Sequence, residues 1–186
     1  MAKQNGSRVV TNKVRFLYPH LFEKYRNNLS GKESYCVTIL IPKEDKDTVQ
    51  AVEAATKFVA DEARNNKNIK NLIHLPLRDG DKERADNELY KGCYFINCST
   101  QFQPDVVDRR GNHISNPDEI YGGMYGRVSL NLFAYSNSGN RGISAGLSNV
   151  QKLEDGERLG GRASALSDFE DTIDANDNSD TADLPF

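Results

Sequence analysis

Read with a period of two, residues 125–135 (Tyr-Gly-Arg-Val-Ser-Leu-Asn-Leu-Phe-Ala-Tyr) separate into two chemically distinct sets. Gly126, Val128, Leu130, Leu132 and Ala134 are small or apolar, whereas Tyr125, Arg127, Ser129, Asn131, Phe133 and Tyr135 carry rings, a guanidinium and short polar groups. Strict alternation over this length predicts a strand with one face on a core. The other face would ordinarily be plainly polar. Rings stack on bases, arginine pairs with phosphate, and serine or asparagine reaches sugar or base edges. A strand buried on both faces would instead place Phe133 and Tyr135 in a core, so burial decides between the two readings.

Elsewhere the pattern predicts a mainly β chain with one principal helix. Residues 8–18 read as a first strand, ended by Pro19, which cannot donate to a sheet ladder. Residues 35–41 are a nearly continuous apolar run closed by Pro42, and read as a central strand. Asp47 with Gln50 suggests a helix cap, followed by Val49, Val52, Thr56, Val59 and Ala63 on one face, with Ala55 and Phe58 beside it. The charged opposite face places this helix outside the sheet, as scaffold. Residues 64–91 are polar, with an apolar island at Leu72, Ile73, Leu75 and Leu77, and 78–88 read as an exposed, mobile loop. Residues 94–99 and 142–150 are further strands, with a short piece at Val106 and Val107. Residues 136–141 form a hairpin loop of turn formers with Arg141 at its base.

Between residues 13 and 26 the bases Lys13, Arg15, Lys24 and Arg26 interleave with Phe16, Tyr18, Phe22 and Tyr25. Basic residues among aromatics suit a single-stranded nucleic acid, although half of these rings equally suit a core. Lys13, Arg15, Phe16 and Tyr18 therefore join Tyr125, Arg127, Asn131, Phe133, Tyr135 and Arg141 as candidate contacts.

Charge divides the chain. Of 27 acidic residues in 186, seven follow Arg162, where no Lys or Arg occurs, leaving 20 against 24 basic ones in the preceding body. Residues 1–162 thus read as one domain of net +4. Residues 163–186 read as a tail, disordered in isolation because isolated Leu166, Phe169 and Ile173 bury too little to offset ordering entropy. The chain ends in Asp183, Leu184, Pro185 and Phe186, which suit a peptide ligand: two apolar side chains for a pocket, a proline limiting freedom, and acids steering to a basic partner.

No apolar run approaches the ~20 residues needed to span a bilayer, and the first residues are no signal peptide, so a soluble, cytoplasmic protein without membrane contact is expected. Cys36, Cys93 and Cys98 fit reduced thiols. His20, His74 and His113 share no metal or triad spacing. A zinc site from the cysteines and His113 is disfavoured, because Cys93 and Cys98 face opposite sides of one strand. No metal or cofactor is expected, and no phosphate-binding loop is present. Acids at Asp105, Asp108, Asp118 and Glu119 would support a metal-dependent nuclease as the competing class. A virion β-domain is the third.

The ending resembles the acidic tip of bacterial single-stranded DNA-binding proteins, with Leu184 where they usually carry Ile. The body resembles a family of bacteriophage single-stranded DNA-binding proteins with an oligonucleotide-binding (OB) barrel. The matching stretches are Phe95-Ile-Asn-Cys-Ser99, Tyr125-Gly-Arg-Val-Ser129 and Gly139-Asn-Arg-Gly-Ile-Ser-Ala-Gly-Leu-Ser-Asn-Val-Gln-Lys-Leu153, followed by Asp155-Gly-Glu-Arg-Leu-Gly-Gly161. The resemblance implies an OB-like β-barrel and sequence-independent ssDNA binding in phage replication, recombination or repair, in the host cytoplasm. It also implies replication or recombination proteins as partners of the tail; a homo-oligomer is compatible with it. One departure stands out: a plain OB barrel carries its helix after the third strand, whereas here the helix follows what reads as the second, unless the strand at 8–18 bends and counts twice.

Overall fold

The structure, a computed structural model, describes residues 1–66 and 69–160. In chain order the elements are β1 (Lys3–Asn5), β2 (Arg8–Val10), β3 (Val14–Arg26), β4 (Glu33–Pro42), α1 (Lys46–Asn66), β5 (Arg78–Asp79), α2 (Gly80–Glu83), β6 (Cys93–Thr100), β7 (Asp105–Val107), β8 (Tyr125–Asn137) and β9 (Asn140–Glu154). Single 3-10 turns lie at Glu88–Tyr90 and Pro117–Glu119.

Five strands close on themselves. β3 pairs with β4, β4 with β6, β6 in parallel with β9, β9 with β8, and β8 back onto β3. That closed ring is the OB-type barrel that the family resemblance implies. Its interior is filled by alternate residues, among them Phe16, Val37, Ile39, Ile96, Cys98, Leu130, Leu132, Ile143 and Ala145. The core parity read for residues 126–134 is therefore correct. Residues 8–18 are two strands rather than one, β2 and β3, both laid along the same edge of β8. The helix does follow the second barrel strand, so the departure in helix order is real.

α1 buries Val49, Val52, Ala55, Val59 and Ala63 and packs over β1, β2, β8 and β9, while Phe58 stays exposed. Its cap is Asp45, not Asp47: the Asp45 carboxylate accepts from Thr48 N at 3.2 Å. Asn12, in the link between β2 and β3, donates to the same carboxylate at 2.9 Å and so fixes the capping group.

Pro19 does not end the first long strand. β3 runs on to Arg26, with register breaks between Leu17 and His20 and again before Tyr25. Tyr18, at φ 50°, marks the first break. Proline is tolerated there because a bulge leaves its position out of the hydrogen-bond ladder. The β8–β9 hairpin is tighter than the sequence suggests: its turn is Ser138 and Gly139, at φ 49° and 84°, the two-residue type whose twist matches the strands.

The largest difference concerns residues 69–92. Ile73 N and His74 N donate to Arg141 O, Ile143 N donates to His74 O, and β5 then pairs with β6. The segment forms a strap across the barrel wall where β6 and β9 separate. Residues 78–88, expected as a mobile loop, contain β5, α2 and the start of a 3-10 turn. Lys43 Nζ holds both Asp79 and Asp81 at 2.7 Å. Gly80 sits so close to the neighbouring backbone that a Cβ would lie 2.4 Å from Tyr90 O. Beneath the strap's end Leu17, Leu40, Tyr90 and Phe95 make a second small core on the barrel's outer face.

Candidate nucleic-acid interface

Because inward positions alternate with outward ones, the ring's outer face is also defined. Cys36 and Thr38 on β4 pair with Ser99 and Asn97 on β6; Ser99 pairs with Gly146 on β9; Ser144 and Gly146 pair with Phe133 and Asn131 on β8. The result is a band of small side chains crossing three inter-strand gaps, about 14 Å at ~4.8 Å per gap. None of these residues is acidic. Thr38 Oγ1 donates to Asn97 Oδ1 at 2.8 Å, and Asn131 Nδ2 to Ser148 Oγ at 3.0 Å. Rings stand at both ends. On β3 His20 and Tyr25 have ring centroids 4.9 Å apart; on β8 Phe133 is 48% exposed, and Tyr135 follows it. A flat polar floor between aromatic rims suits unpaired bases, which stack on rings and tolerate any neighbour.

Off this floor opens a cavity of about 780 Å³, walled by the strap on one side and β6, β9 and Tyr135 on the other. It exists because β6 and β9 pair only at Cys98–Ala145 and Ser99–Gly146 before diverging. Arg78 and Glu83 line it together with Asn97 and Ser144. Arg78 donates from Nε to Glu83 at 2.7 Å and lies over the Phe95 ring, 4.7 Å from its centroid. Arg141 anchors the strap, donating from Nη1 to Lys70 O at 3.1 Å, while its buried Nε has no partner among the described residues.

The ten candidate contacts divide accordingly. Asn131, Phe133, Tyr135 and Arg141 come together around the floor and cavity. Tyr125, Lys13 and Arg15 lie at the far end of β8, about 33 Å from Tyr135 at ~3.3 Å per residue. There the two cations flank the Tyr125 ring at 5.7 and 5.6 Å. Lys13 also pairs with Glu154 at 3.1 Å, and Arg15 Nε donates to Gly123 O at 3.3 Å. Arg127 donates to Thr11 O at 2.8 Å and Met1 O at 3.2 Å, tying the N-terminal segment to β8.

Phe16 is a correction: it is fully buried in the barrel, so its ring cannot stack on a base. The interleaved bases and aromatics at the start of β3 are two faces of one strand, with Val14 and Phe16 inward and Arg15 outward, and Lys13 just before it. Tyr18 shares the inward parity of Phe16 but is 58% exposed, because the bulge turns it out. Asp183, Leu184, Pro185 and Phe186 lie outside the described residues.

Thr38, Asn97, Ser99, Ser144 and Arg78 were not anticipated. The alternation of residues 94–99 held the signal for Asn97 and Ser99, since they share the polar face of that strand. Burial raises the thiol pKa of Cys98, Cys36 and Cys93, so none is an activated nucleophile. Among the described residues no three His, Cys, Asp or Glu side chains gather as a metal site. Asp108 is occupied in its own turn, accepting from Asn112 Nδ2, Asn112 N and Arg110 N, which lowers its pKa. No helix among the described residues is long and apolar enough to cross a membrane.

Comparison with known proteins adds to this geometry. Protein p50 of Acyrthosiphon pisum secondary endosymbiont phage 1 is 30% identical over 174 residues, covering 88% of this chain and 93% of that one. The single-stranded DNA-binding protein of bacteriophage Enc34, solved in complex with ssDNA, matches with a TM-score of 0.73 at 25% identity, over 83% of this chain and 90% of that one. Gp2.5, the single-stranded DNA binding protein encoded by bacteriophage T7, shares the fold with a TM-score of 0.55 at 17% identity, over 97% of this chain and all of that one. The profile described as "Enterobacter phage Enc34, ssDNA-binding protein" matches residues 7–181, nearly the whole chain. With the family match spanning nearly the whole chain and a relative 30% identical along most of it, the chain belongs to the Enc34 family of phage ssDNA-binding proteins.

Proposed function

We propose that this protein binds single-stranded DNA across the outer face of its barrel, without catalysis and with little base specificity, in phage DNA replication, recombination or repair in the host cytoplasm. The observation that carries this reading is the acid-free band of Thr38, Asn97, Ser99, Ser144 and Gly146 between the ring pairs His20–Tyr25 and Phe133–Tyr135. Bases stack on the rims, and backbone phosphates meet surrounding cations such as Lys24, Arg26 and Arg141. Tyr125 with Lys13, Arg15 and Arg127 extends the same function along β8. The ssDNA complex of the Enc34 protein supports the ligand class.

The acidic residues 163–186 complete the proposal. Seven acids on a body of net +4 compete with DNA for the same cations, and the tip from Asp183 to Phe186 recruits replication or recombination proteins.

The test is a titration of ssDNA, dsDNA and ssRNA at two salt concentrations, repeated with Mg²⁺. The expected result is salt-sensitive binding that favours ssDNA, with the strand recovered intact. Cleavage of the strand, or no affinity for any nucleic acid, would sink the reading.

A further inference from the structure

The cavity beside the floor has the wrong chemistry for phosphate. It contains a carboxylate, Glu83, and the nearest guanidinium, that of Arg78, is already directed at it. Arg78 Nε and Nη2 both donate to Glu83 Oε2, leaving Oε1 as an acceptor. The opposite wall supplies a donor. Asn97 Oδ1 is taken by the Thr38 hydroxyl, so its amide N–H groups are the side that remains. Leu75 and Tyr135 add apolar surface to the lining.

We propose that this cavity receives the edge of an unstacked base and favours bases with an exocyclic amino group beside a ring-nitrogen acceptor, as in cytosine and adenine. The amino N–H donates to Glu83, and the neighbouring ring nitrogen accepts from Asn97 Nδ2. Thymine presents the reverse pattern, a carbonyl beside an N–H, and sets its carbonyl oxygen against the carboxylate. About 780 Å³ is ample for one base. The inference rests on the proposed ssDNA function and adds a composition preference to it; stacking on the floor stays indifferent to sequence. Glu83 is then a specificity-determining residue, and Arg78 positions it.

The experiment is fluorescence anisotropy with dC20 and dT20 at pH 8, where cytosine stays unprotonated, on the full chain and on Glu83→Gln. A good two-bond base contact discriminates by ~1–3 kcal/mol, so the wild type should bind dC20 at least about fivefold more tightly than dT20. Glu83→Gln, whose amide both donates and accepts, should weaken dC20, strengthen dT20 and bring their ratio to about one. Its circular dichroism melt reports any loss of folding separately. Equal affinities in the wild type, or a preference that survives Glu83→Gln in a folded variant, overturn the proposal while leaving ssDNA binding intact. Failure to bind either strand would overturn the functional reading itself.

Discussion

The ring of Phe133 on β8 lies against Gly146 on β9: a Cβ added at Gly146 would sit 3.6 Å from Phe133 Cε1. The ring leans over a neighbour with no side chain, and half of it remains in solvent. An exposed ring contributes little to folding but offers a full face to a base. Phe133→Ala should therefore weaken ssDNA binding about five- to a hundredfold, at ~1–3 kcal/mol per stacked base, with the melting temperature nearly unchanged. A fall in Tm at constant affinity would show a purely structural ring.

Phe16→Ala should do the opposite. Emptying this site removes a buried ring from the barrel and should cost about 3–5 kcal/mol of stability, read by urea denaturation, with affinity per folded molecule unaltered. Gly126→Ala should behave similarly, since its Cβ would meet Gln151 O at 2.3 Å and the Phe16 ring at 2.8 Å.

Arg127→Ala is expected to weaken binding to all sequences alike and make the salt dependence shallower by about one counterion. Its hydrogen bonds to Thr11 O and Met1 O provide the contrast. If anchoring the N-terminal segment is its whole role, the melt shifts and the salt slope stays.

The Lys43–Asp79–Asp81 cluster predicts a pH window for the strap. Its hydrogen bonds to Lys43 lower both carboxyl pKa values, so their contribution is present above the unfolded value of 3.8 and disappears as pH falls through the lower folded values. Lys43 is shifted upward by the same bonds, so its contribution is complete below 10.5 and is lost only as pH rises beyond that. Strap stability should be flat between about pH 5 and 9. Lys43→Ala should flatten part of the acid limb in a plot of Tm against pH; an unchanged acid limb would assign the effect to other carboxylates such as Asp108 and Asp155.

Removal of residues 163–186 should tighten ssDNA binding, most at low salt where screening is weakest. Deleting Phe186 alone should leave DNA affinity nearly constant but abolish capture of replication or recombination proteins. Equal affinities of the full and shortened chains across salt would end the competition idea; the recruiting role has its own pull-down.

Residues 125–135 were legible because a single strand obeys a single period, and the hairpin partner at 142–150 followed the same rule. Pro19 was misleading since a bulge removes the constraint that usually excludes proline, and the same bulge turns Tyr18 out of the inward parity of Phe16. The cap at Asp45 was not legible because the contact that fixes its carboxylate, from Asn12, is 33 residues away. The strap was illegible for a similar reason. Nothing periodic orders residues 69–92; Lys43, Gly80 and Arg141 do, through contacts formed only when the barrel exists. The small polar floor was half visible, in the alternation of 94–99, and needed the parallel register of β6 and β9 to become one surface.

That register has a consequence for how occupancy would be seen. With β6 and β9 sharing only two rungs, the amides of Ile73, His74 and Ile143 carry the closure of the wall beside the cavity. Local openings there expose these amides without unfolding the barrel, so they should exchange with deuterium well before those of β4. A strand bridging the floor fastens both sides of the seam, and slowed exchange at these three amides would be its signature.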